Sequence, residues 1–144
     1  MDRLTLEHAK AIVTAALARA REMMLKPLTV AVLDAGGHLI ALQREDDSSN
    51  LRPAIAEGKA RGALAMGISS RAIASMAVER PTFVASLHGL APGGLVPAAG
   101  GVIVVDDHGA ALGAVGVTGD TSDNDETCAL AGIAAAGLSA RSCF

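Results

Sequence analysis

The sequence predicts an α+β fold in which two β-hairpins form an antiparallel sheet flanked by helices. Two runs of aliphatic and β-branched residues each break at a turn rich in Gly and Asp and then resume, which is the pattern of a hairpin. Segments with helical periodicity precede the first hairpin, separate the two hairpins and follow the second. Because the strands are grouped in hairpins, an antiparallel sheet is favoured over a doubly wound parallel sheet.

The composition predicts one globular domain and excludes several classes of function. The chain has 144 residues without a linker-like segment, and its 51% of hydrophobic residues exclude a disordered chain. A net charge of −3 gives no general attraction to nucleic acid or to an anionic membrane. The only aromatic residues are two phenylalanines, too few for a stacking platform that binds single-stranded nucleic acid. No apolar run approaches the roughly 18 residues of a transmembrane span.

The start of the chain and the cysteine count predict a cytoplasmic protein. Residues 1–4 lack the charged-then-apolar layout of a signal peptide. The two cysteines, Cys128 and Cys143, do not make the framework of a disulfide-rich domain. We therefore expect free thiols. The charge and the lack of a long apolar run predict that neither nucleic acid nor a membrane is a partner.

The first helix and the first hairpin are predicted within residues 5–43. Residues 5–25 carry apolar side chains at helical spacing, with Thr5 as the N-cap. Residues 28–33 are rich in strand formers, and residues 38–43 return after a turn that contains two glycines.

Two helices and a loop are predicted between the hairpins. The longer helix spans about residues 50–67 with Asn50 as its cap, and its Ala and Gly residues would let it pack very close to a neighbour. A short helix over residues 71–79 is predicted to be closed by Pro81. Residues 90–101 are rich in Gly, Pro and Ala and predict an irregular loop.

The second hairpin repeats the pattern of the first and leads into the last helix. Residues 101–105 and 110–118 are its predicted strands. The helix is predicted over about residues 123–138, with Asp123 as N-cap and Glu126 completing a capping box.

Three segments, in this order, resemble the signatures of the GlcG/HbpS-like family, also called the haem-degrading or DUF336 domain. The resemblance spans essentially the whole chain and implies a profilin-like sandwich that assembles as a homo-oligomer, often an octamer. Members include haem-binding sensors and proteins encoded among genes for aromatic or xenobiotic breakdown, so the resemblance implies the fold more narrowly than the function. The segments are Val30–Leu39 with Gln43–Arg44, Ala56–Ala63, and Gly113–Gly119 followed by Asp125–Glu126 and Ala131–Gly132.

Two cations are candidates for binding an anionic ligand. Lys59 belongs to the second matched segment, on a helix face of Ala and Gly where a partly desolvated ammonium could hold a carboxylate or propionate. Arg44 ends a strand and could hold an anionic group through two parallel hydrogen bonds. A surface lysine and an exposed charge at a strand end are the structural alternatives.

Two acids in the first turn of the last helix are candidate catalytic residues. Negative charge at Asp125 and Glu126 suits the positive end of a helix dipole, and that role alone would explain them. In the functional interpretation, one of them pairs with Lys59 or Arg44 at the mouth of a pocket and acts as proton acceptor or ligand anchor.

Thr82 and His88 are candidates for the lining of a ligand pocket. His88 falls just before the irregular loop and could be an axial ligand of haem iron. Thr82 belongs to a Pro-Thr pair that recurs in the family. The other histidines, His8, His38 and His108, are expected to be exposed, and no His/Cys spacing predicts a zinc site.

These candidates support two classes of function. The first is a cytoplasmic oligomeric protein that binds a small anionic ligand, with haem or another tetrapyrrole held through its carboxylates by Lys59 and Arg44. The alternative is an isomerase, hydrolase or lyase that acts on a carboxylated intermediate of a catabolic pathway, with Asp125 or Glu126 moving a proton. An accessory oligomer with neither property is a third interpretation. Haem is the only cofactor expected.

Overall fold

Residues 3–142 are described by the structure, a computed structural model. The strands are β1 (Thr29–Asp34), β2 (Leu39–Arg44), β3 (Gly101–Val105), β4 (Ala111–Thr118) and β5 (Ser139–Ala140). Their order across the sheet is β2-β1-β4-β3-β5, with all neighbours antiparallel, so the two hairpins join through β1 and β4. The predicted α+β class is confirmed, and of these strands only the two-residue edge strand β5 was not predicted.

Helices cover both faces of the sheet. The helices are α1 (Leu6–Glu22), α2 (Arg52–Met66), α3 (Ser70–Glu79), α4 (Pro81–Leu87) and α5 (Ser122–Ala135). α1 and α5 pack together on one face, whereas α2 lies on the other face with α3 and α4 beside it. No helix within residues 3–142 is long and apolar enough to cross a membrane.

The two faces of the sheet differ in side-chain size. Alternate strand residues such as Val30, Val115 and Val117 form the main core against α1 and α5. On the opposite face a Cβ atom on Gly116 would lie 1.9 Å from the carbonyl oxygen of Ala56, so α2 crosses β4 at a distance that only glycine permits. The close packing predicted for this helix is therefore confirmed.

The capping predicted for α5 is wrong by two residues. Thr121 is the N-cap, and its hydroxyl accepts a hydrogen bond from the amide of Asn124 at 3.2 Å. Asp123 therefore lies inside the first turn, where its charge still suits the helix dipole.

The predicted boundaries between α2 and α4 also need correction. Asn50 does not cap α2, because its amide oxygen accepts a hydrogen bond from Arg44, and Leu51 takes the N-cap position without a side-chain bond. α3 ends at Glu79 as predicted, but Pro81 also begins α4, a helix that was not predicted. A proline at the first helical position gives up no needed hydrogen bond.

Candidate functional site

Lys59 and Asp125 form an ion pair in the interior, where α2, the end of β4 and the start of α5 meet. The Lys59 ammonium lies 3.2 Å from Asp125 Oδ2 and donates to the Val117 carbonyl at 2.9 Å. Asp125 Oδ1 accepts the amide hydrogen of Asp120 at 3.0 Å. Lys59 is 3% exposed and Asp125 1%. The predicted pairing of an acid with Lys59 is present, but it is buried and does not lie at the mouth of a pocket.

Burial is the main electrostatic influence on this pair. It lowers the pKa of Lys59, helped by the nearby charge of Arg52 and opposed by the charge of Asp125. Burial also raises the pKa of Asp125, opposed chiefly by the charge of Lys59. Each charge therefore depends on its partner, because either one alone would remain poorly solvated in the interior.

Glu126 is held by Arg71, which the sequence analysis did not single out. Arg71 Nε lies 2.9 and 3.2 Å from the two carboxylate oxygens of the buried Glu126, and its guanidinium also contacts Asp123. Hydrogen bonds to these two acids raise the pKa of Arg71. The cluster joins α3 to the first turn of α5.

The remaining predicted residues lie apart from the buried pair. Arg44 is exposed at the end of β2, where it donates to Asn50 Oδ1 at 3.1 Å and lines a surface cavity of about 380 Å³. Thr82 is exposed in the first turn of α4, and His88 is exposed at the end of that helix. Of the predicted site residues, the structure brings together only Lys59 and Asp125, with Glu126 next in the chain.

A larger open cavity lies beside the β1–β2 turn. Its volume of about 560 Å³ falls in the range of small-molecule sites. Three parts of the chain line it: the turn residues 35–39, one side of α2, and Pro92 with Gly93. Leu39, Leu64 and Ala65 supply apolar surface, while Arg61 and His38 supply the charged and the titratable group.

Arg61 and His38 give this cavity its polar chemistry. Arg61 Nε donates a long hydrogen bond of 3.4 Å to the Gly37 carbonyl, and none of the described carboxylates lies within ion-pair distance of it. His38 Nδ1 lies 3.2 Å from Asp34 Oδ1, and the ring is 81% exposed. Hydrogen bonds from the amides of His38 and Gly36 lower the pKa of Asp34. The carboxylate thus orients the ring and leaves Nε2 without a partner in residues 3–142.

Arg61 was not predicted as a site residue, although it lies in the matched segment Ala56–Ala63, where Lys59 was the candidate. Two residues turn a helix by about 200°, so Lys59 and Arg61 point to opposite sides of α2. Periodicity could have separated them, because the side of the helix that carries Lys59 also carries Ala56 and Ala63, both buried. Within residues 3–142 no group of three acidic, His or Cys side chains could hold a metal ion.

One protein family matches most of the chain. The family of haem degrading HbpS-like proteins matches residues 4–134. No curated protein sequence matches the chain significantly.

Solved structures share the fold over nearly the whole chain. The PduOC complex with haem has a TM-score of 0.85 and 24% identity, covering 97% of this chain and 99% of that one. The DUF336 protein ORFY of Klebsiella pneumoniae has a TM-score of 0.84 and 24% identity, covering 95% and 92%. A double mutant of Streptomyces reticuli HbpS has a TM-score of 0.79 and 30% identity, covering 93% and 87%.

Proposed function

The chain belongs to the family of HbpS-like haem-degrading proteins, and on this premise we propose that it binds haem or a related anionic tetrapyrrole in the cavity beside the β1–β2 turn. The observation that carries the proposal is the guanidinium of Arg61 in the cavity wall, with no acidic partner among the described residues. The haem in the crystallised complex of PduOC, a protein of the same fold, supports the choice of ligand class.

The walls of the cavity fit both parts of such a ligand. A tetrapyrrole has a flat apolar ring, which Leu39, Leu64 and Pro92 can cover. It also carries carboxylates, and a guanidinium binds a carboxylate through two parallel hydrogen bonds. Arg61 therefore takes the anchoring role that the sequence analysis gave to Lys59, which is already paired in the interior.

His38 is the proposed ligand of the haem iron. Metal-bound histidines commonly donate their second ring nitrogen to a carboxylate, and Asp34 holds Nδ1 of His38 in this way. Nε2 is then the nitrogen that faces a ligand. His88, the candidate from the sequence, lies outside the lining of this cavity. A bound haem would supply a redox-active iron to the site.

An enzyme acting on a carboxylated intermediate, the alternative from the sequence, has weaker support. Asp125 is paired with Lys59 in the interior, and Glu126 is held by Arg71. Neither carboxyl group is open to a substrate in this arrangement.

We also propose that the protein is a cytoplasmic homo-oligomer. Apolar side chains exposed near α3 and α4, with Val78 at 84% and Leu90 at 78%, support assembly because a partner could cover them. The free, buried thiol of Cys128 is in keeping with a reducing compartment, while Cys143 lies outside the described residues. Light scattering after size-exclusion chromatography tests the assembly, and a monomer would contradict it.

A haemin titration followed by absorbance tests the proposed function. We expect a saturable, shifted Soret band for the wild type, affinity roughly tenfold lower for Arg61→Gln, and an altered band position for His38→Gln. His108→Gln, in the corresponding turn of the second hairpin, and Arg80→Gln are the matched controls and should bind as the wild type does. Non-saturating absorbance, or unchanged binding by both cavity variants, would contradict the proposal.

A further inference from the structure

A second polar region, apart from the cavity, lies where β1, β2 and β4 meet the start of α2. Thr29 stands opposite Arg44 of β2 on one side and opposite Thr118 of β4 on the other. Directly opposed residues share a face of the sheet. It is the α2 face, because Leu33, four residues along β1 from Thr29, packs against Ala60.

Of the hydroxyl groups of Thr29 and Thr118, only one has a hydrogen-bond partner. Thr118 Oγ1 accepts from Arg52 Nη1 at 2.7 Å. Thr29 is fully buried, and its hydroxyl has no partner among residues 3–142. Buried hydroxyls in native proteins are nearly always satisfied, so an exception calls for a group that completes it. An unpaired buried hydroxyl therefore stands opposite Thr118, the residue whose hydroxyl Arg52 holds.

The side chains of Arg52 and Arg44 supply positive charge in this region, and neither has an acidic partner among the described residues. Within the described chain, the side chain of Arg52 bonds only to the neutral Thr118 hydroxyl, and the side chain of Arg44 bonds only to the amide of Asn50. α2 is 15 residues long, begins at Arg52, and has no side-chain cap at its positive N-terminal end. The charge of Arg52 also lowers the pKa of Lys59, whose own acid is Asp125.

We propose that Arg52, Arg44 and Thr29 bind the oxyanion group, carboxylate or phosphate, of a small molecule at this end of the sheet. The planar guanidinium presents parallel N–H donors that match both groups. Because Thr29 is buried, the oxyanion enters as Arg52 releases Thr118. That movement exchanges a bond between the guanidinium and a neutral hydroxyl for one in which donor and acceptor carry opposite charges. This site is separate from the haem cavity and does not depend on the proposed function.

Calorimetric titration of the intact protein with sodium phosphate, and separately with sodium acetate, tests this site at an ionic strength fixed with chloride. We expect the wild type to bind at least one probe, Arg52→Gln to bind roughly tenfold more weakly or not at all, and Thr29→Val to lose several-fold in affinity. Thr29→Val keeps the side-chain shape and removes an unpaired hydroxyl, so its urea midpoint should not fall. Arg80→Gln, an exposed arginine outside both sites, should leave the affinity for the probe unchanged.

The two probes distinguish the sources of the oxyanion. Binding of phosphate alone identifies a phosphate group, binding of acetate alone identifies a carboxylate, and binding of both supports the shared site if Arg52→Gln reduces both. Lack of binding by either probe would overturn the proposal, and so would equal binding by the wild type, Arg52→Gln and Thr29→Val. A failed haemin titration would leave the result unaffected.

Discussion

Replacing Lys59 by methionine removes a charge from the interior and keeps most of the side-chain volume. Asp125 then loses its partner at 3.2 Å while remaining almost wholly buried, and the Val117 carbonyl loses a donor at 2.9 Å. Removing one partner of a buried ion pair costs about 3–5 kcal/mol, because the remaining charge is left uncompensated. We expect Lys59→Met to lower the free energy of unfolding by an amount in that range.

A double variant shows whether the cost comes from the stranded charge. Asp125→Asn added to Lys59→Met removes that charge but keeps an oxygen for the Asp120 amide. We expect the double variant to be more stable than Lys59→Met by roughly 2 kcal/mol, a coupling of the size found between contacting residues.

The assay is urea unfolding followed by far-ultraviolet circular dichroism, since the chain has no Trp or Tyr for fluorescence. Burial raises the folded pKa of Asp125 above 3.8, so its contribution to stability is lost as the pH rises beyond that value. Without Lys59 this loss of stability should be larger. The difference in the free energy of unfolding between Lys59→Met and the wild type should therefore grow from acid to neutral pH. A loss below about 1 kcal/mol for Lys59→Met, or a double variant no more stable than the single one, would refute the reasoning.

Three further predictions concern packing, acid stability and thiol reactivity. Gly116→Ala should destabilise the protein by about 3 kcal/mol in urea unfolding, because its Cβ would meet the α2 backbone. Gly89→Ala should not, because its Cβ would meet only the Ser86 carbonyl oxygen at 4.0 Å, an ordinary contact. Hydrogen bonds lower the pKa of Asp120 to about 2, so the stability that its carboxylate contributes is present above pH 3.8 and is lost as the pH falls towards 2. If the free energy of unfolding of Asp120→Asn fell with acid in the same way as that of the wild type, this prediction would be wrong. Burial raises the pKa of Cys128 to about 11, so iodoacetamide should modify Cys128 only after urea is added. Rapid modification of Cys128 itself in the folded protein, located by peptide mass spectrometry, would contradict its burial.

The hairpins and the family resemblance could be predicted from the sequence because their signals are local. A strand is recognised by its strand-forming residues and ends at a Gly- or Asp-rich turn. All four predicted strands are present, and their ends lie within a residue or two of the predicted ones. α4 was missed because Pro81 is compatible with both the end of one helix and the start of the next. Local composition does not distinguish these two roles.

The arrangement of the site could be predicted only in part, because it depends on contacts between distant residues. Lys59 and Asp125 lie 66 positions apart, and only the fold shows that they pair in the interior. Arg61 lines a cavity whose other walls come from the β1–β2 turn and from Pro92, which the sequence places far from α2. His88 was proposed from its place before an irregular loop, and Thr82 from a Pro-Thr pair of the family. Neither lines the cavity, to which the loop contributes only Pro92 and Gly93.

A crystal structure of the protein grown with haemin tests the proposed haem site most directly. We expect a tetrapyrrole in the cavity beside the β1–β2 turn, with a carboxylate on Arg61 and the iron on Nε2 of His38. Haem bound elsewhere on the protein, or iron bound by another residue while His38 stays with Asp34 in solvent, would contradict it.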